Sequence, residues 1–304
     1  MIKKATLNTA TLANFVPHKK KIKPSVVIIT IVLHLAVLFA IAVALFPFYV
    51  MIVNSIKSYG EGLYFVWWPA KPSLDAYKFV LFDKQIRIDY ELSIMRGLWN
   101  SIKIAVPSVT IGTLVASMSA YTFVKRDFPG KNIIFSILMF SMMIPSTVTM
   151  ISMYLIYAKI GWVNTPLPLM IPGMFGTVTL LFALRQYMYS IPTELVDSGR
   201  IDGANHFYIF WRIILPLASP ILVAQWLLGF MASYNQYQEP LLYLIDPSQY
   251  TIQLVLPNFS QAVGLADAPK AAAVSILAML PMFILYASSQ KFFAKGIMTG
   301  ALKG

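Results

Sequence analysis

Cysteine is absent from all 304 residues, so the chain offers no disulfide, no thiolate nucleophile and no Cys-based metal site. Histidine is nearly absent: His18, His34 and His206 stand apart and form no metal-ligating cluster. Charge is scarce too, since only 12% of residues are charged, about half the fraction of a soluble domain. No nucleophile–base–acid set is visible, so no catalytic residue is assigned and the chain does not read as an enzyme. Internal repeats and low-complexity tracts are missing. The basic start, residues 1–24, is followed by an apolar run too long for a signal-peptide core, so no cleavable leader is expected.

What fills the chain instead is apolar, at 58% of residues. Unalternating apolar runs of about 20 residues span a bilayer as helices and do not suit barrel strands. The pattern predicts an all-α integral membrane protein with six transmembrane helices. They fall at about Ser25–Val53, Ser101–Val124, Ile133–Tyr157, Leu167–Tyr189, Ile213–Tyr234 and Ala271–Phe293. Residues 25–293 then form one membrane domain, with an external segment at 54–99, a cytoplasmic loop at 190–212 and a cytoplasmic tail at 294–304.

The formal charge of +12 is distributed unevenly. One side collects Lys3, Lys4, Lys19, Lys20, Lys21 and Lys23, then Lys125, Arg126 and Lys131, then Arg185, Arg200 and Arg212, and finally Lys291, Lys295 and Lys303. Its acids are Asp127, Glu194, Asp197 and Asp202, whereas acids and bases balance on the other side. The positive-inside rule therefore places both termini in the cytoplasm. The surplus is a topology signal with affinity for anionic membrane lipid, not a nucleic-acid footprint.

Prolines 47, 107, 145, 172 and 281 sit inside spans. Each removes a backbone donor, and either static kinks or a water-lined passage accommodates the freed carbonyls. The external aromatic knot Tyr64-Phe65-Val66-Trp67-Trp68-Pro69 reads as an interfacial belt or as a small cap that helps receive a partner. Polar residues gather at the end of span five, where Tyr234, Asn235, Gln236 and Glu239 form either an interfacial band or part of a passage. Gln225, nearer mid-span, is a further lining candidate or an interhelical hydrogen-bonding group.

The most specific stretch is a polar island, Glu194 to Pro216. Pro192 suits a first helical turn, and Glu194 and Asp197 favour the positive end of a helix dipole. Leu195, Ser198 and Ile201 share a face at helical spacing, Gly203 supplies a break, and Asn205 is a good N-cap for a second helix. A helix so short needs a docking surface.

These residues resemble the EAA loop of permease subunits of bacterial ATP-binding-cassette importers. Arg200-Ile201-Asp202-Gly203-Ala204 matches the loop's core, as do Phe210, Ile213 and Leu215-Pro216. The eponymous triplet is Asp197-Ser198-Gly199 here, and Gly199 in place of alanine is expected to weaken the helix by about 1 kcal/mol. Trp99-Asn100-Ser101, Phe128-Pro129-Gly130-Lys131, Met143-Ile144-Pro145 and the ending from Gln290 to Gly304 are similar to the carbohydrate-type, maltose-permease-like branch. In that branch tryptophan is usual where Tyr234 stands.

The resemblance implies a type I importer permease in the bacterial inner membrane, moving a sugar or oligosaccharide by alternating access. Glu194, Asp197, Ser198, Gly199, Arg200, Asp202, Gly203, Ala204 and Asn205 would couple it to an ATPase subunit, and Lys295, Gly296, Gly300 and Lys303 would reach the interface between two such subunits. ATP and Mg would sit on those partners, because the Gly296–Lys303 stretch lacks phosphate-loop spacing and this chain binds no cofactor or metal of its own. A second permease of different sequence and an external solute-binding protein, approached by the loop 258–269, would complete the assembly. The alternatives are a permease for a non-sugar solute and an ion-coupled secondary transporter; a spare set of ionisable groups in mid-membrane would favour the latter.

Overall fold

The computed structural model describes residues 24–58, 64–82, 93–263 and 267–301, and these are helices and connecting turns without a strand. The helices are α1 (Pro24–Ser55), α2 (Asp75–Phe82), α3 (Ile94–Lys125), α4 (Lys131–Ser141), α5 (Ser146–Lys159), α6 (Leu167–Met174) and α7 (Val178–Tyr189). There follow α8 (Glu194–Ile201), α9 (His206–Leu217), α10 (Ser219–Tyr234), α11 (Gln238–Tyr243), α12 (Ile252–Val263) and α13 (Ala268–Ala301). The chain divides into two compact units, residues 1–50 and 51–304. The described part of the first is most of α1, whose large apolar side chains are exposed, as a lipid-facing helix requires.

Four helical stretches among the described residues are long and apolar enough to cross a membrane, and there are six if two bent pairs each count once. Two predicted spans are therefore not straight. The third breaks between α4 and α5 with a 94° bend. Pro145 stands at the break with φ −62° and ψ 131°, and a proline disfavours helical geometry in the residue before it. The fifth bends by 78° between α9 and α10, where Pro216 and Pro220 flank Ala218. Before this bend α9 widens into a π-helical turn over Phe210–Ile214, since Pro216 has no N–H to offer the carbonyl four residues back. Prolines 47, 107, 172 and 281 remain inside their helices. The last helix continues through Ala301, so Lys295, Gly296 and Gly300 lie on the α13 backbone; Lys303 lies outside the described residues.

In the second unit α3 is the hub, packing against α6, α7, α10 and α12. Its contact with α6 brings backbone against backbone. A Cβ added at Gly112 would lie 2.3 Å from the Gly173 carbonyl oxygen, and one at Gly176 would lie 2.9 Å from the Gly112 oxygen. Small residues are how membrane helices gain such van der Waals contact without a hydrophobic drive between them. At the N-terminal end of α3, buried Asn100 donates to the carbonyls of Ser248 and Tyr250, both at 3.0 Å, and Ser101 Oγ accepts from Ile252 N–H at 2.9 Å. These bonds pin the segment leading into α12.

Replacing Asn100 with Ala leaves both carbonyls without that donor. A loss of about 1–3 kcal/mol is expected, read as a lower midpoint of thermal unfolding in detergent.

Candidate functional site

The polar island forms a helical hairpin. Glu194 and Asp197 occupy the first turn of α8, and the turn after it closes with Gly203 N–H bonding to Arg200 O at 3.0 Å and Ala204 N–H to Gly199 O at 2.9 Å. Gly203 has φ +81° and nothing within 4 Å of its would-be side chain, so its demand is on the backbone alone. Asn205 caps α9, its Oδ1 accepting from Tyr208 N–H at 2.8 Å.

The hairpin's inner seam consists of Val196, Ile209, Phe210 and Ile214, all at most 2% exposed, in one core with Tyr121 of α3 and Leu184 and Met188 of α7. Tyr121 Oη and His206 Nδ1 share a 2.9 Å hydrogen bond, and Lys125 Nζ donates to Ile191 O and to Thr193 Oγ1. Gly199 is buried against this seam: a Cβ there would lie 3.1 Å from Ile209 Cγ1 and 3.3 Å from Ile213 Cδ1. Close packing, which propensity alone does not reveal, is thus the use of glycine at this position.

The outward surface is the predicted Leu195, Ser198 and Ile201 face, and Ile201 is 86% exposed. Glu194, Asp197, Arg200, Asp202 and Asn205 are exposed with it, while Ala204 is half-buried. Phe207 is exposed as well, whereas Phe210, three residues on, is buried in the seam.

The second feature is a cleft of about 490 Å³ bounded by α3, α6, α7, α10 and α11. Gln225, Gln236 and Glu239 line it. Tyr234 does not: it is 1% exposed, stacks on Phe230, and donates from its hydroxyl to Ala278 O at 2.7 Å. It therefore holds α10 against α13. Asn235 also lies off the cleft, its Oδ1 accepting from Gln253 Nε2 at 3.1 Å. Ser233, at the start of the same polar stretch, lines the cleft too, and lining residues that sequence reasoning passed over are Ser108, Thr113, Thr177 and Thr179. The signal was small polar residues recurring along α3, where Ser108, Gly112 and Thr113 fall on neighbouring turns. Glu239 lies in α11, outside the candidate spans; burial pushes its carboxyl above the usual value, and the Gln236 amide that donates to it opposes that rise. No group of three metal-ligating side chains occurs among the described residues.

A helical membrane bundle with a polar cleft and a polar hairpin packed on the same helix is the architecture of a transport permease, and the family match agrees. The chain belongs to the family of binding-protein-dependent transport system inner membrane components, whose pattern matches residues 108–299. It is 32% identical to the trehalose/maltose transport system permease protein MalG of Thermococcus litoralis, over 88% of this chain and 95% of that one. It is 27% identical to the arabinooligosaccharides transport system permease protein AraQ of Halalkalibacterium halodurans, over 94% and 100%. Its fold matches a chain of a bacterial ABC transporter involved in the import of the acidic polysaccharide alginate, with a TM-score of 0.77 at 23% identity, covering 90% of this chain and 99% of that one. The protein is thus a multi-pass inner-membrane component with the ABC importer permease fold.

At Gly203 a β-branched residue must adopt left-handed geometry. Gly203→Val is expected to destabilise the hairpin by about 1–2 kcal/mol, and Gly203→Asn by less. Limited proteolysis of the hairpin in the two variants measures the difference.

Proposed function

We propose that this chain is one half of the membrane channel of an ATP-driven importer for a sugar or oligosaccharide. The observation that carries the reading is the shared use of α3. One end of this helix holds the hairpin through Tyr121, and its middle lines the cleft through Ser108 and Thr113. A push on the hairpin therefore acts directly on a wall of the cleft.

In this reading the exposed face of α8, with Glu194 to Asn205 around it, docks on an ATPase subunit that carries ATP and Mg. Two such subunits serve this permease and a second, different permease chain. Both termini lie in the cytoplasm, and the end of α13 with Lys303 reaches between the ATPases. A solute-binding protein delivers the cargo from the opposite side. Hydroxyls and amides along the cleft suit a polyhydroxylated solute, because each can donate or accept. The saccharide names of the relatives point the same way. Gln225, Gln236 and Glu239 contribute to the path, while Tyr234 and Asn235 support it from behind.

The test is reconstitution of the complete complex in vesicles. ATP on the ATPase side is expected to drive uptake of a neutral oligosaccharide, and an ion gradient without ATP is expected to drive none. Gradient-driven uptake overturns the proposal in favour of a secondary transporter. In the same vesicles Gly203→Val is expected to retain ATP hydrolysis while uptake per ATP falls roughly tenfold, equivalent to about 1.4 kcal/mol of lost coupling.

A further inference from the structure

The cleft combines many hydrogen-bonding groups with little charge. Among the described residues that line it, Glu239 is the one with an ionisable side chain, and no lysine or arginine accompanies it. Gln236, itself on the cleft wall, donates its amide to the Glu239 carboxylate and so orients it. Along α3, Thr113 borders the cleft at 5% exposure, and its buried Oγ1 has no hydrogen-bond partner.

We propose that Glu239 is a charge filter, which makes this cleft a passage for uncharged saccharides and turns anionic ones away. This rests on the reading of the cleft as the sugar path. An uncharged saccharide exchanges water for the hydroxyls and amides of the wall at little net cost. An anionic one, such as a uronate-bearing sugar, loses hydration in a confined site and also meets the like charge of the Glu239 carboxylate, whose ionised form the Gln236 amide favours against burial. No cation on the described wall offsets either term. At about 8 Å separation and an effective dielectric constant of about 20, the repulsion lowers occupancy by an order of magnitude or more. Low-dielectric walls focus such a field along a cleft, so one carboxylate at the wall acts on the whole passage.

The absence of cysteine permits a test that needs no knowledge of the transported sugar. Ser233→Cys puts a single thiol on the cleft wall, one helical turn before Gln236. In the assembled complex, its reaction rates with hydroxyethyl methanethiosulfonate (neutral) and sulfonatoethyl methanethiosulfonate (anionic) are compared. Each rate is scaled to that of a free thiol. With Glu239 present the anionic reagent is expected to lag. Glu239→Gln is expected to raise the anionic-to-neutral ratio on the order of tenfold, and Glu239→Lys to raise it further. A ratio that stays constant across all three backgrounds overturns the filter and leaves the sugar reading standing. A thiol that reacts with neither reagent, with or without nucleotide, shows a cleft closed to water and overturns both.

Discussion

A buried apolar seam joins the polar hairpin to α3. Val196, Ile209 and Phe210 pack with Tyr121, Leu184 and Met188, and the rest of the proposed mechanism depends on that contact. A helix of eight residues such as α8 has no independent stability in water, because its nucleation cost is spread over too few hydrogen bonds. The seam supplies what the short helix lacks, and burial of each large side chain in it contributes on the order of 1.5–3 kcal/mol. The Tyr121–His206 bond and the Lys125 contacts to Ile191 and Thr193 add direction to an otherwise non-directional contact. Stiffness at this joint is what would let movement of the hairpin reach α3 undamped.

The cleft has a different origin. It lies where helices approach closely and then break. The Gly112–Gly173 contact draws α3 and α6 together, and at Gly176 the chain opens before α7 begins. Two donors at the break are satisfied locally: Gly176 N–H bonds to Gly173 O at 3.0 Å, and Thr177 Oγ1 accepts from Leu180 N–H at 3.2 Å. Irregular backbone at membrane depth is tolerated only where protein or a water-filled cavity satisfies it. Polar side chains then collect on the cleft wall because they have nowhere cheaper to face.

Much of this was legible from residue order. Apolar runs located the spans, and Leu167–Tyr189 began and ended where expected, although broken at Gly176. Gly203 and Asn205 announced the turn and the cap, since their local chemistry acts without help from the fold. The 94° bend at Pro145 was not legible: proline permits a kink, but neighbouring helices set its size. Tyr234 shows the same limit. A tyrosine beside amides reads as a polar site, yet its fate turned on the Ala278 carbonyl 44 residues away. Gly199 reads as a weak helix former, and only the nearness of Ile209 reveals its purpose.

The exposed tip of the hairpin offers the most direct test that an ATPase subunit grips it. Ile201→Cys creates a single thiol at a position 86% exposed in the isolated chain. In the assembled transporter that thiol is expected to crosslink to the ATPase subunit and to lose reactivity toward a bulky soluble reagent. Free labelling from solvent at the same rate with and without the ATPase, and no crosslink, would contradict the coupling role.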